Sequence, residues 1–168
     1  GRPKCEFCNN GYFSGYDGAA ECDPCVPGSY TLEEGGFADC QKCSKGSFQS
    51  EPASTGCDLC APGKYTGSVV LATCSNCDAG YLCLEGSVRA DEWDCANATV
   101  GRPENFYCPE GTGPRPLQVP RNYFSVPRDH SARFNRVGAL KCPGISNCLY
   151  GIQYPGLLWI NSDCADGA

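Results

Sequence analysis

The 168-residue chain holds 16 cysteines, one histidine, no methionine and a net charge of −6. Its 28 Leu, Ile, Val and Phe residues are too few to enclose one apolar core, so covalent staples or bound metal must supply stability. The acidic balance argues against nucleic acid as a partner, and no run approaches the ~20 apolar residues of a membrane-spanning helix.

The chain opens at Gly1 without a signal-like apolar run, which reads as a mature protein with its leader removed or a piece of a longer one. Five Cys-x-x-Cys pairs then recur: Cys5/Cys8, Cys22/Cys25, Cys40/Cys43, Cys57/Cys60 and Cys74/Cys77, in steps of 17, 18, 17 and 17 residues. Each second cysteine is followed by two residues, a glycine and an aromatic within two positions: Gly11-Tyr12, Gly28-Ser29-Tyr30, Gly46-Ser47-Phe48, Gly63-Lys64-Tyr65 and Gly80-Tyr81. Repetition at a fixed period predicts a row of small units, each leaning on its neighbours. A unit of this size cannot offset its own ordering entropy by burial alone.

Two readings of the pairs compete. The spacing from Cys22 to Cys43 approaches a four-cysteine zinc pattern. Disulfides fit better, because the pairs run in an unbroken series and the same phrase follows each one. Asn97-Ala98-Thr99 is an acceptor for N-glycosylation and points to the same oxidising compartment. Bonding each second cysteine to the first of the next pair gives Cys8–Cys22, Cys25–Cys40, Cys43–Cys57 and Cys60–Cys74, each closing a short hairpin. A loop of ~15 residues closed in this way contributes roughly 3 kcal/mol. Connectivity does not follow from sequence alone, so this pairing is an expectation. It leaves Cys5 for a further repeat upstream.

From 78 to 108 the rhythm changes into a variant module with Cys77, Cys83, Cys95 and Cys108, whose pairing is open, around the acidic patch Asp91, Glu92 and Asp94. Residues 109–141 read as a proline-rich basic connector. Pro109, Pro114, Pro116, Pro120 and Pro127 predict an extended, polyproline-like backbone over 109–127. Residues 142–168 form a last module with Cys142, Cys148 and Cys164, around the apolar run Leu157, Leu158, Trp159 and Ile160. The predicted fold is small and disulfide-rich, mostly β-hairpin and loop with little helix: tandem cysteine-rich modules, with 1–77 as the regular array, stacked into an elongated rod.

The repeated Cys-x-x-Cys-x-x-Gly-x-Tyr phrase resembles the ephrin-receptor-like cysteine-rich repeat, in the style of tumour-necrosis-factor-receptor and EGF-like modules. The resemblance extends through Phe106-Tyr107-Cys108-Pro109-Glu110-Gly111 and Val119-Pro120 with Tyr123-Phe124-Ser125, which look like connectors between such repeats in large protist cell-surface proteins. It implies an extracellular setting, β-hairpin modules in a row and no catalysis.

Charge is divided along the chain. Residues 1–110 carry a net −9 and residues 111–168 a net +3. Arg115, Arg121, Arg128, Arg133, Arg136 and Lys141 are opposed locally by Asp129 alone. Such a segment is either a solvated loop or a basic surface that docks on an acidic neighbour or an anionic polysaccharide. No constellation of an enzyme is present. His130 sits in Asp129-His130-Ser131, and three adjacent residues of an extended segment cannot form a relay. Asp91-Glu92-Trp93-Asp94 lacks the alternating spacing of a calcium loop. No cofactor is expected. The leading expectation is a secreted or cell-surface structural protein that self-associates head to tail, or with neighbouring extracellular proteins. Its contacts would come from the basic residues and Leu157–Ile160. A spacer or ligand-binding part of a receptor or adhesion ectodomain is the alternative, and a zinc-binding intracellular adaptor the third.

Overall fold

The computed structural model describes residues 8–16, 21–32, 38–98, 105–127 and 135–141. One local unit recurs throughout. The chain leaves a buried second cysteine, turns over four residues and runs out as a two-residue strand. A second two-residue strand later returns to the next second cysteine. Thus β1 (Tyr12–Phe13) pairs with β2 (Asp23–Pro24), β3 (Ser29–Tyr30) with β4 (Gln41–Lys42), and β5 (Ser47–Phe48) with β6 (Asp58–Leu59). In the same way β7 (Lys64–Tyr65) pairs with β8 (Ser75–Asn76).

The glycine shapes the turn. In Val26-Pro27-Gly28-Ser29 the Ser29 N–H donates to the Val26 carbonyl at 3.0 Å, and Gly28 takes φ +85°. A positive φ at the third residue, after proline at the second, is the type II geometry that favours glycine. The Ser29 and Ser47 hydroxyls close their turns again, onto the Val26 and Ser44 carbonyls at 2.7 and 2.9 Å.

The strands are too short to hold together alone. Disulfides join them: Cys8–Cys22, Cys25–Cys40, Cys43–Cys57 and Cys60–Cys74, at separations of 14, 15, 14 and 14 residues. Each links the second cysteine of one pair to the first of the next. Cys25, Cys43, Cys60 and Cys77 are almost fully buried, taking the place that aliphatic side chains hold in larger cores.

Contacts divide the chain into two units. The first comprises Gly1–Ala61, Tyr65–Ser75 and Glu85–Val88. Here each turn glycine donates its N–H one repeat onward: Gly11 to Thr31, Gly28 to Gln49 and Gly46 to Thr66, at 3.2, 2.8 and 2.9 Å to the carbonyls. Cys25, Cys43 and Cys60 each receive a bond from later in that following repeat: Ala53 N–H to the Cys25 carbonyl, Val70 to Cys43 and Gly86 to Cys60, at 2.8, 3.2 and 2.8 Å. The donors Ala53, Val70 and Gly86 all have left-handed backbones, with φ of 55°, 60° and 74°. Left-handed backbone is costly for a β-branched residue such as Val70, and its hydrogen bond holds it there. The approach is close: a Cβ on Gly28 would stand 2.5 Å from the Val70 carbonyl carbon. Glycine is therefore needed there twice, for its dihedral and for the absence of a side chain.

The second unit comprises Pro62–Lys64, Asn76–Leu84 and Arg89–Ala168. It repeats the same bonds: Gly63 N–H to the Cys83 carbonyl, Gly80 to Cys108, and Gly111 to Cys77, at 2.9, 2.7 and 3.0 Å. β9 (Tyr81–Leu82) pairs with β10 (Trp93–Asp94), β11 (Phe106–Tyr107) with β12 (Leu117–Gln118), and β13 (Tyr123–Pro127) with β14 (Arg136–Lys141). A four-residue 3-10 helix, Cys95–Ala98, is the one helix among the described residues. Leu82, Cys95 and Cys108 form its apolar cluster.

The left-open pairing resolves as Cys77–Cys83 and Cys95–Cys108. The register explains the change. β10 puts Glu92 where the first cysteine of a pair would stand, and β12 puts Pro116 there. Cys77 and Cys95 therefore lack a forward partner. Each bonds the cysteine that directly follows the first strand of its own hairpin.

The polyproline-like backbone expected over 109–127 is not what forms. Pro109 and Pro120 open turns, accepting from Thr112 and Tyr123 N–H at 3.2 and 3.1 Å. The segment then enters hydrogen-bonded strands. It is a further repeat without its usual marks. The Val119 N–H donates to the Asn105 carbonyl at 2.8 Å, as Cys95 donates to Gly80 at 3.0 Å. Val119 thus holds a second-cysteine position, 4% exposed. Asn122, with φ 64°, holds the place of the turn glycine. Asparagine is among the few residues that tolerate this backbone.

Candidate functional site

The basic residues of the second unit fall into two groups. Arg115, Arg121 and Lys141 are exposed. Arg136 is not a surface charge of the same kind: it is half-buried at the start of β14, and its Nη1 donates to the Ser125 carbonyl of β13 at 2.9 Å. A charged donor tied to a backbone carbonyl braces the hairpin, so charge reversal there would disturb the fold before any docking. The predicted contact residues Arg128, Arg133, Leu157, Leu158, Trp159 and Ile160 lie outside the described residues, as do His130, Cys5, Cys142, Cys148 and Cys164.

Asn97 is exposed within the 3-10 helix, two residues after the buried Cys95. A glycan there would project from a stapled segment. In the acidic patch, Arg89 grips Asp91 through Nε and Nη2 at 2.9 and 3.0 Å. The Asp91 hydrogen bond and charge raise the Arg89 pKa further above its ordinary range. The pair is exposed and holds its loop only weakly. Among the described residues no group of three or more His, Cys, Asp or Glu is placed to hold a metal ion. The four cysteines of the zinc-like spacing, Cys22, Cys25, Cys40 and Cys43, are distributed over three disulfides. No helix among the described residues is long and apolar enough to cross a membrane.

Neither protein-family models nor curated proteins match this chain. Its chemistry must be read from its own geometry, and what the geometry builds within each unit is a coupling between neighbouring repeats. Thr31 is the clearest example. It is fully buried, and its Oγ1 accepts the Gly11 N–H at 2.7 Å. Its position, six residues after Cys25, is that of Cys83 after Cys77. Two of the four repeats bonded forward bury threonine here, Thr31 and Thr66, with Ser14 and Gln49 in the other two; the repeats of Cys77 and Cys95 carry Cys83 and Cys108 after their first strand. Sequence reading passed over Thr31 and Asn122 and assigned Val119 and Ser125 to a connector. Offsets of three and six residues from the second-cysteine position were the signal that could have placed Asn122, Thr31 and Ser125.

Exposed apolar side chains mark a second feature. Trp93 and Leu117 are 53% and 46% exposed. They occupy the same place in consecutive hairpins, facing Leu82 and Tyr107 across their strands.

Proposed function

We propose that this is a non-catalytic extracellular structural protein, whose disulfide-stapled modules assemble head to tail into a filament or cell-surface coat. The observation that carries it is the sense of the coupling. Gly11, Gly28, Gly46, Gly63 and Gly80 each donate to a carbonyl of the following repeat, and Cys25, Cys43, Cys60 and Cys77 each accept from a residue further on. A head-to-tail relation between like repeats is the kind that extends into open arrays when copies meet. Six disulfides in the described residues support an oxidising setting, where such bonds form and persist. Asn97 carries the glycan in this reading. Arg115, Arg121 and Lys141 supply electrostatic docking to an acidic neighbour or polysaccharide.

Electron microscopy of the native protein, with sedimentation of the same sample, tests this. Regular fibres that dissociate with salt, or on combining Arg115→Glu with Lys141→Glu, are expected. A dispersed monomer at all salt concentrations overturns it. Trp93 and Leu117 would then favour the second reading, a spacer or ligand-binding part of a receptor or adhesion ectodomain, since exposed aromatics anchor partners.

A further inference from the structure

Four turn glycines abut the carbonyl group of a left-handed residue in a later repeat: Gly11 at Ala53, Gly28 at Val70, Gly46 at Gly86 and Gly63 at Gly111. At each junction the N–H of that left-handed residue is bonded to a second-cysteine carbonyl, so the flanking residues can be compared place by place. The residue before the left-handed one is Pro52, Glu85 or Glu110 at three junctions, and the residue after it is Ser54, Ser87 or Thr112. At the Gly28 junction these places hold Val69 and Leu71, and Val26 heads the turn. They are 50%, 37% and 62% exposed.

The fold does not ask for this. Alanine or glycine fills the left-handed place at the other three junctions, whereas Val70 is β-branched, a type for which that backbone is costly. Grouped apolar exposure, with strain that the architecture does not require, marks a surface kept for a partner.

Charge says which partner fits. Residues 21–32 and 65–75, which make the junction, carry Glu21 and Asp23 and no lysine or arginine. The first unit as a whole holds four Lys or Arg against ten Asp or Glu. A fitting partner is apolar and basic. This chain carries such groups in consecutive hairpins of its second unit: Leu117 two residues after Arg115, and Leu140 beside Lys141, all exposed. Trp93 holds the same strand place but stands between Glu92 and Asp94. We propose that the junction of Val26, Val69 and Leu71 receives the Leu117 and Leu140 hairpins of a second copy. Apolar groups meet there, and Arg115 and Lys141 face the acidic first unit of the neighbour. Different surfaces on the two copies make the contact heterologous, the kind that continues from copy to copy. The inference rests on the head-to-tail reading above and adds where one copy accepts the next.

Combining Val26→Ser with Val69→Glu tests it by sedimentation, beside the wild type and the Arg115→Glu/Lys141→Glu variant. The first pair introduces the residue types that the Gly46 junction already holds at Ser44 and Glu85, so the fold accepts them. Each variant alone should stay monomeric where the wild type forms fibres, its critical concentration raised at least about tenfold. An equimolar mixture of the two variants keeps one intact contact and should give a species of twice the monomer mass. Fibres from Val26→Ser/Val69→Glu overturn this contact and leave the head-to-tail reading standing. Monomers in the mixture, or dimers of Arg115→Glu/Lys141→Glu alone, overturn the pairing of these two surfaces. A wild type that is monomeric at all salt concentrations overturns both.

Discussion

Replacing Val119 and Ser125 with cysteine probes the logic of the repeats at the one described module that has no staple. Val119 and Ser125 are 4% and 3% exposed, and they stand six residues apart, as Cys77 and Cys83 do. The turn between them is kept by the Tyr123 N–H to Pro120 carbonyl bond at 3.1 Å. If the seventh module has the geometry of the fifth, the two thiols close without moving backbone; the Cys77–Cys83 Cα atoms are 6.0 Å apart, within the usual disulfide span. A loop of this length contributes about 2 kcal/mol in the chain-entropy model. Trimming Val119 to a thiol costs about 1 kcal/mol in lost packing. The net gain is ~1 kcal/mol, which slows local opening, read by hydrogen exchange at the Val119 and Tyr123 amides, about fivefold. Alkylation of the unreduced, denatured double variant should count the same free thiols as the wild type, whereas Val119→Cys alone should add one. Two extra alkylated thiols in the double variant, with exchange unchanged or faster, would refute the equivalence of the modules.

Other perturbations separate the forces at work. Gly28→Ala forces a side chain into left-handed backbone and against the Val70 carbonyl, so it should cost ~3 kcal/mol or more in a urea midpoint, while Gly56→Ala, with open space around it, should stay within ~0.5 kcal/mol. Thr31→Val removes the hydroxyl that accepts the Gly11 N–H in a fully buried site and should lower stability by about 1–2 kcal/mol by the same measure. Arg136→Ala should destabilise the β13–β14 hairpin by roughly 1–2 kcal/mol, seen as faster exchange of the Ser125 and Val126 amides, whereas Arg115→Glu, at an exposed position, should leave exchange unchanged and weaken only self-association in sedimentation. Asn97→Gln should remove an enzymatically releasable glycan and its mass from protein secreted by eukaryotic cells; an unchanged mass would show that the site is not used.

Much of the array is readable in the sequence because its marks are chemical necessities. Only cysteine can form the staple, and only glycine fits at Gly28, where the dihedral and the close approach of Val70 act together. The first four modules are therefore conspicuous. The seventh is not, because its positions ask for less: a buried apolar group at Val119, a residue tolerant of left-handed backbone at Asn122 and a small buried side chain at Ser125. Several residue types meet each demand, so the phrase disappears while the fold persists. Proline frequency misled for a related reason. Pro109 and Pro120 suggest extension by frequency alone, but as first residues of turns they donate nothing and disturb no ladder. For the candidate surface, charge was legible and burial was not. Nothing in the sequence separates Arg136, bonded to the Ser125 carbonyl, from the exposed Arg121.

The central claim is that second cysteines bond forward wherever a first cysteine follows, and within their own repeat where none does. A disulfide map of the native protein tests it most directly, read with a metal assay of the same sample. The account predicts Cys8–Cys22, Cys25–Cys40, Cys43–Cys57, Cys60–Cys74, Cys77–Cys83 and Cys95–Cys108, with no bound zinc. Bonds closed inside the Cys-x-x-Cys pairs, or alkylatable cysteines with stoichiometric zinc, would contradict it.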